Sequence, residues 1–109
     1  MRSDEERLRD IVEHAELIGA HLPTSRDELD KDVVLAAALI RWVGIIGEAA
    51  ARLSDSFRKS HLDVPWAAIA GMRNHLVHGY FAVDADLLWV AVTIEIPGLA
   101  QTVRSWLND

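Results

Sequence analysis

The sequence predicts an all-α fold, an up-and-down bundle of four main helices in a single domain spanning residues 1–109. Three observations lead there. Apolar residues recur at three- and four-residue steps through most of the chain. The breaks between those stretches are short and carry Pro, Ser, Asp or Gly. No stretch combines strand-like alternation with a flanking turn signal, so no strand is expected.

The first helix is expected from about Ser3 to His21, with Leu8, Ile11, Val12, Ala15, Ile18 and Leu22 on one face and Asp, Glu and Arg between them. Pro23, Thr24 and Ser25 break it. Ser25 with Glu28 three residues on resembles a capping box opening the second helix, expected from about Arg26 to Leu53. Its run VVLAAALIRWVGIIGEAAARL is apolar on most of its circumference, which makes it the central, most buried helix. Arg41, Gly44, Glu48, Arg52 and Asp55 trace its one polar stripe, and its abundant Ala and Gly let a neighbouring helix come close. SDSFRKSHLDVPW is a polar connection with room for a short extra helix, and Asp63 and Pro65 suit a helix start. The third helix is expected from Trp66 to about His78, with Ile69, Met72, Leu76 and Val77 inward and Gly79 as its stop. Asp84 then caps a last helix carrying Leu87, Leu88, Val90, Ala91, Ile94, Leu99, Val103 and Leu107, which Pro97 should kink or break near Glu95.

Composition narrows the function. Half the residues are apolar and 26% are charged, as in an ordinary globular protein. The absence of cysteine excludes disulfides, thiolate metal sites and a cysteine nucleophile, and fits a reducing, cytoplasmic setting. MRSDEERLRD lacks the apolar stretch of a signal peptide, and no uncharged window reaches membrane-spanning length, so no membrane is expected. The net charge of −6 argues against indiscriminate nucleic-acid binding. Its distribution is uneven: residues 1–32 carry five basic and ten acidic side chains, residues 33–80 five and three, residues 81–109 one and four. The middle of the chain alone is net positive.

That middle holds GMRNHLVHGYFAVD, residues 71–84. On a continuous helix Asn74 and His78 would stack on one face, with Arg73 about 140° away from His78. A curling Arg side chain, a frayed last turn at Gly79 or a symmetric dimer could bring Arg73 and His78 together. At a helix C-terminus the macrodipole would favour the protonated form of His78. These are parts for cleaving RNA without a metal. The 2′-hydroxyl of the RNA is the nucleophile, His78 moves protons, Arg73 stabilises charge on the phosphate, Asn74 orients His78 or donates to a phosphate oxygen, and Tyr80 positions substrate. Spacing alone leaves the plainer reading open, in which His78 caps a helix or lies on the surface. His75 reads as a packing or surface residue, and Glu48 as an ion-pair partner of Arg52 or Arg41. Trp42, Trp66, Trp89 and Trp106 read as packing residues. His14, His21 and His61 show no ligand spacing, so neither metal nor cofactor is expected.

IIGEAAARLS (45–54), VPWAAIAGMRNHLVHGYFAVD (64–84) and LLWVAVTIEIPGL (87–99) together resemble the HepT-like toxins of the HEPN superfamily. The family motif is Arg, four residues, His, one residue, Tyr, and it reads here Arg73, NHLV, His78, Gly79, Tyr80. The resemblance implies a HEPN-like bundle and a metal-independent endoribonuclease toxin, with Arg73 and His78 as the catalytic pair and Asn74 assisting. It also implies a homodimer whose two motifs line one cleft, and an MNT-type nucleotidyltransferase antitoxin that attaches AMP to Tyr80. A competing reading is a non-catalytic dimeric subunit that binds a nucleotidyltransferase or a nucleotide. Another is a purely structural dimer, with Tyr80 and His78 hydrogen-bonded at its interface.

Overall fold

The computed structural model describes residues 2–78 and 82–107, the side chain of His78 apart. Helix α1 (Asp4–Ala20) opens with a full capping box: the Glu6 amide donates to the Ser3 hydroxyl and the Ser3 amide to the Glu6 carboxylate. It buries Leu8, Ile11, Ala15 and Ile18, as its spacing predicts.

The expected second helix is two. Helix α2 (Arg26–Asp30) is one short turn opened by Ser25, whose hydroxyl accepts from the Glu28 amide. The Glu28 carboxylate turns back to the Thr24 amide rather than to Ser25, so only half of the expected capping box forms there. Helix α3 (Val33–Ala51) starts afresh because Asp32 caps the Leu35 amide at 2.9 Å. Leu39, Val43, Ile46, Gly47, Ala49 and Ala50 form its buried stripe, which packs on α1. Its first turn departs from the expected all-round burial, for Val33 and Val34 are exposed. The connection after it does hold a short helix, α4 (Asp55–Ser60), capped by Ser54.

The third helix also divides. Helix α5 (Trp66–Ala70) ends at Gly71, which then opens α6 (Met72–Leu76). Val77 and His78 leave the helix as an extended strand β1, antiparallel to β2 (Ala82–Val83), with Val77 opposite Val83 and His78 opposite Ala82. This small ladder corrects the expectation of no strand and of a helix reaching His78. β-branched Val77 and Val83 favour extended backbone, and the Asp84 amide donates to the Leu76 carbonyl at 2.8 Å, satisfying an acceptor at the helix end. The architecture is nonetheless all-α, since the ladder pairs only two residues with two.

Asp84 caps α7 (Ala85–Val90) through the Leu87 amide. The kink expected from Pro97 takes the form of a π-helical turn, Ala91–Glu95, that passes into α8 (Ile96–Leu107). In a regular helix the Pro97 ring would collide with the Thr93 carbonyl. The wider turn relieves that, and the Ile96 amide reaches the Ala91 carbonyl five residues back. Leu88, Ala91, Val92, Ile96, Leu99, Ala100 and Val103 go into the core, but Leu87, Val90 and Ile94 face outward, against expectation. Both Val33–Ala51 and Ala85–Leu107 are long and apolar enough to cross a membrane. Here each gives one stripe to a core shared with α1 and α5.

Two glycines fix how the third limb sits on α3. A Cβ at Gly47 would stand 3.0 Å from the Ile69 carbonyl oxygen and 3.1 Å from that of Ala70, so α5 touches α3 backbone to backbone. At Gly44 the nearest atom is instead the Arg73 Cγ, at 3.4 Å. Asp4 ties two helix starts together, because its carboxylate accepts from the Ser54 hydroxyl at 2.6 Å and the Ser54 amide at 2.8 Å. Those two bonds, the hydroxyl first, hold the Asp4 carboxyl below its ordinary value of 3.8.

Ala in a helix interior is favoured over Gly by about 1 kcal/mol, so Gly44→Ala should hold or raise the urea midpoint. Gly47→Ala should lower it, because rigid backbone oxygens oppose the new methyl at a cost of about 1–3 kcal/mol. Equal shifts in both variants would contradict the close approach. The stability that Asp4 contributes is complete above pH 3.8 and lost as the pH falls through its lowered folded value. The stability gap between wild type and Asp4→Asn should therefore be wide at pH 6 and close as acid is added below about pH 4.

Candidate functional site

The motif residues stand on the shortest elements of the fold. Gly71 donates its amide to the Ala67 carbonyl, closing α5, while its own carbonyl accepts from the Asn74 and His75 amides, opening α6. The axis is thus interrupted one residue before Met72. Helix α6 has two working faces. Leu76 points into the core, while Arg73, Asn74 and His75 are exposed.

The Arg73 stem lies across α3 at Gly44, where the missing side chain makes room for it. Beside it runs a cleft of about 480 Å³ between α1, α3 and α6, lined by Arg7, Asp10, Arg41, Glu48 and Arg73 over a floor of Gly44, Ile45 and Ala49. Its two carboxylates are engaged elsewhere: Asp10 pairs with Arg2 at 2.7 Å, and Glu48 with Arg52 Nε at 2.5 Å, the pairing expected for it. Among the described residues, no carboxylate lies within 4.0 Å of the charged nitrogens of Arg7, Arg41 or Arg73. Three arginines thus line a cleft whose two acids are already paired.

Asn74 makes no side-chain hydrogen bond among the described residues, so its amide is available. The stacking of Asn74 with His78 on one helix face does not occur, because the helix ends at Leu76 and His78 belongs to β1. The helix-terminal dipole argument for His78 falls for the same reason. The side chain of His78 and the whole of Tyr80 lie outside the described residues. Their backbone anchors are β1 and β2, joined by residues 79–81.

The roomier cavity, about 620 Å³, is on the other side of α6, where Val64, Ile69, Met72, Leu76, Leu87 and Leu99 form an apolar groove edged by Asp63, His75 and Glu95. Among the described residues it is lined by no arginine or lysine, and neither Arg73 nor Asn74 lines it. His75 therefore stands where a surface and packing residue was expected. Trp66 is buried and Trp42, Trp89 and Trp106 are partly buried against the core, as packing residues should be. His14, His21 and His61 each turn Nδ1 to the carbonyl four residues back. No three potential metal-ligating side chains gather among the described residues.

The sequence reading does not single out Arg7, and it places Arg41 only in a polar stripe and as a candidate partner of Glu48. The signal for them was present: Arg7 with Asp10, and Arg41 with Gly44 and Glu48, are spaced to share a helix face. Which helix faces meet is a tertiary fact that spacing within one helix does not carry.

A family described as "Ribonuclease HepT-like" matches residues 6–106. Among curated proteins, the chain is 39% identical over 109 residues to a "Putative RNase" of Caldanaerobacter subterraneus subsp. tengcongensis, covering 99% of this chain and 97% of the relative. It is 37% identical over 99 residues to a "Probable ribonuclease HepT" of Thermococcus cleftensis, covering 90% of each. A "Putative RNase" of Methanocaldococcus jannaschii is 35% identical over 98 residues, covering 89% of this chain and 90% of the relative. No solved structure matches.

Proposed function

The chain belongs to the HepT-like ribonuclease family, and from that premise we propose that it is a metal-independent endoribonuclease, the toxin of a prokaryotic toxin–antitoxin pair. The observation that carries this reading is Arg73, the first residue of the Arg-x4-His-x-Tyr motif, laid over Gly44 at an acid-neutralised cationic cleft.

The chemistry assigns each motif residue a task. His78 takes the proton from a ribose 2′-hydroxyl. The 2′-oxygen attacks the adjacent phosphorus, the bond from phosphorus to the 5′-oxygen breaks, and the leaving oxygen is protonated. The products are a 2′,3′-cyclic phosphate and a 5′-hydroxyl strand. Charge builds on the non-bridging oxygens in the transition state, and the Arg73 guanidinium stabilises it with paired N–H donors. The unengaged Asn74 amide donates to the same phosphate, and Tyr80 holds the substrate beside it.

A homodimer completes the reading by setting two motifs in one cleft, so that one imidazole accepts a proton while the other donates. The exposed stripe Leu87, Val90 and Ile94, with Val83 of β2 next to it in sequence, supports such an interface. Monomers rarely leave apolar side chains in a continuous row. The antitoxin in this reading is an MNT-type nucleotidyltransferase. The Tyr80 oxygen attacks the α-phosphorus of ATP, pyrophosphate leaves, and the added AMP brings negative charge and bulk to the cationic site.

Purified wild type should cleave total RNA in the presence of EDTA. His78→Ala should be about 10²–10⁴-fold slower and Arg73→Ala about 10²–10³-fold slower. Equal cleavage by all three, or loss of activity in EDTA, overturns the reading. Ile94→Asp, which leaves the motif intact, should sediment as a monomer and be as slow as His78→Ala; an active monomer removes the dimer from the mechanism. Co-expression with the nucleotidyltransferase should add AMP-sized mass that is absent from Tyr80→Phe. Mass added equally to both forms would place the modification elsewhere.

A further inference from the structure

We propose that Arg7 and Arg41 are phosphate-positioning residues, gripping the backbone of an unpaired RNA strand beside the phosphodiester held by Arg73. This rests on the ribonuclease reading and extends its substrate site from one phosphate to three.

The first ground is electrostatic. Like charges gathered in one cleft repel and destabilise the fold, yet here three arginines line the same cleft with no carboxylate within 4.0 Å of their charged nitrogens among the described residues. Asp10 and Glu48, which could have neutralised them, are held by Arg2 and Arg52 instead. A chain with seventeen acidic residues against eleven basic ones has left its cations unpaired in this place. Arg7 has Asp4 and Glu6 within electrostatic reach, but among the described residues none of the three arginines is held in an ion pair, which leaves their donors open to an anion from outside the protein.

The second ground is shape. Arg41 precedes Gly44 by three residues, close to one helical turn, and lines one hollow with Gly44 and with Arg73, whose stem lies at Gly44. Arg7 faces them from α1, across the floor of Gly44, Ile45 and Ala49. Three arginines from three helices around one cleft, over a floor of Gly44, Ile45 and Ala49, suit successive phosphates of one strand. All three are arginines, whose planar forks bind phosphate oxygens two at a time. In-line attack by the 2′-hydroxyl requires a backbone that can bend at the scissile bond, which an unpaired segment allows.

The test measures binding apart from cleavage, using a short fluorescent 2′-O-methyl RNA, which lacks the nucleophile. Titrations from about 50 to 200 mM salt give the slope of log affinity against log salt, which for a single strand changes by about 0.7 per phosphate contact. Arg7→Gln and Arg41→Gln should each make the slope shallower by about 0.7, and the double variant by about twice that. Arg41→Lys, keeping the charge, should recover most of the loss. Arg9→Gln removes the same charge from an exposed arginine paired with Glu5 and should leave the slope as in wild type. On cleavable RNA, Arg7→Gln and Arg41→Gln should raise KM more than they lower kcat. If wild type binds and cleaves while their slopes match that of Arg9→Gln, the positioning role is overturned and the ribonuclease reading stands. If wild type neither binds nor cleaves, both fall.

Discussion

Everything in the site depends on how closely α3 admits its neighbour. At Gly47 the carbonyl oxygens of Ile69 and Ala70 stand where any side chain would have to be, so α5 is seated on α3 by backbone contact. That contact fixes the position of Gly71, and with it the point at which α6 restarts. Three residues earlier on α3, Gly44 leaves a gap that the Arg73 stem fills. One glycine sets the distance between two helices, and the other receives the side chain which that distance delivers. A side chain at Gly47 would push on the backbone oxygens of Ile69 and Ala70 and shift α5, and with it the start of α6 that carries Arg73.

The end of α6 follows from a second constraint, the need to satisfy its carbonyls. Asp84 does this with its amide, bonded to Leu76, while its carboxylate caps α7 through Leu87. One residue thus closes the ladder and starts the next helix. In the sequence Tyr80 lies three residues after Val77 and three before Val83, and those two residues pair. Arg73 and His78 therefore stand on a helix and a strand, and the four residues between them are not a helical spacing at all. The 140° objection raised by a helical wheel does not arise, since there is no common helix on which to measure it.

How much of this could be read from the residues depends on the range of the interaction involved. Core faces were legible because one stripe decides them: Leu8, Ile11, Ala15 and Ile18, or Ile69 and Leu76, need only a helix and an interior. Caps with a local mechanism were legible too, Ser25 and Asp84 among them. The break at Asp32 was hidden because the charged stretch RDELDKD follows a helix-start signal at Ser25 and runs directly into the apolar pattern from Val33, with no Pro or Gly between them. The strand at Val77 was hidden because its partner, Val83, lies beyond a segment with no alternating pattern long enough to notice. Leu87, Val90 and Ile94 satisfy the helical period as well as their buried neighbours do, and periodicity cannot tell an outward stripe from an inward one when both are apolar. Arg73 was marked by its motif, but its companions Arg7 and Arg41 come from other helices and are joined to it only by packing.

The acidic total now has a physical place. At physiological ionic strength charges are screened beyond about 8 Å, so an approaching polyanion responds to the groups within reach of its phosphates rather than to the sum of −6. What matters is where the acids spend their charge. Asp10 and Glu48 are drawn to Arg2 and Arg52, both more than half exposed, and Asp4 to Ser54, leaving the cleft to the three unpaired arginines. The same surplus of acid over the remaining surface disfavours RNA elsewhere on the molecule. On the ribonuclease reading, net negative charge and a cationic cleft are parts of one arrangement: the first suppresses unproductive binding, and the second confines the substrate to the place where Arg73 can act on it.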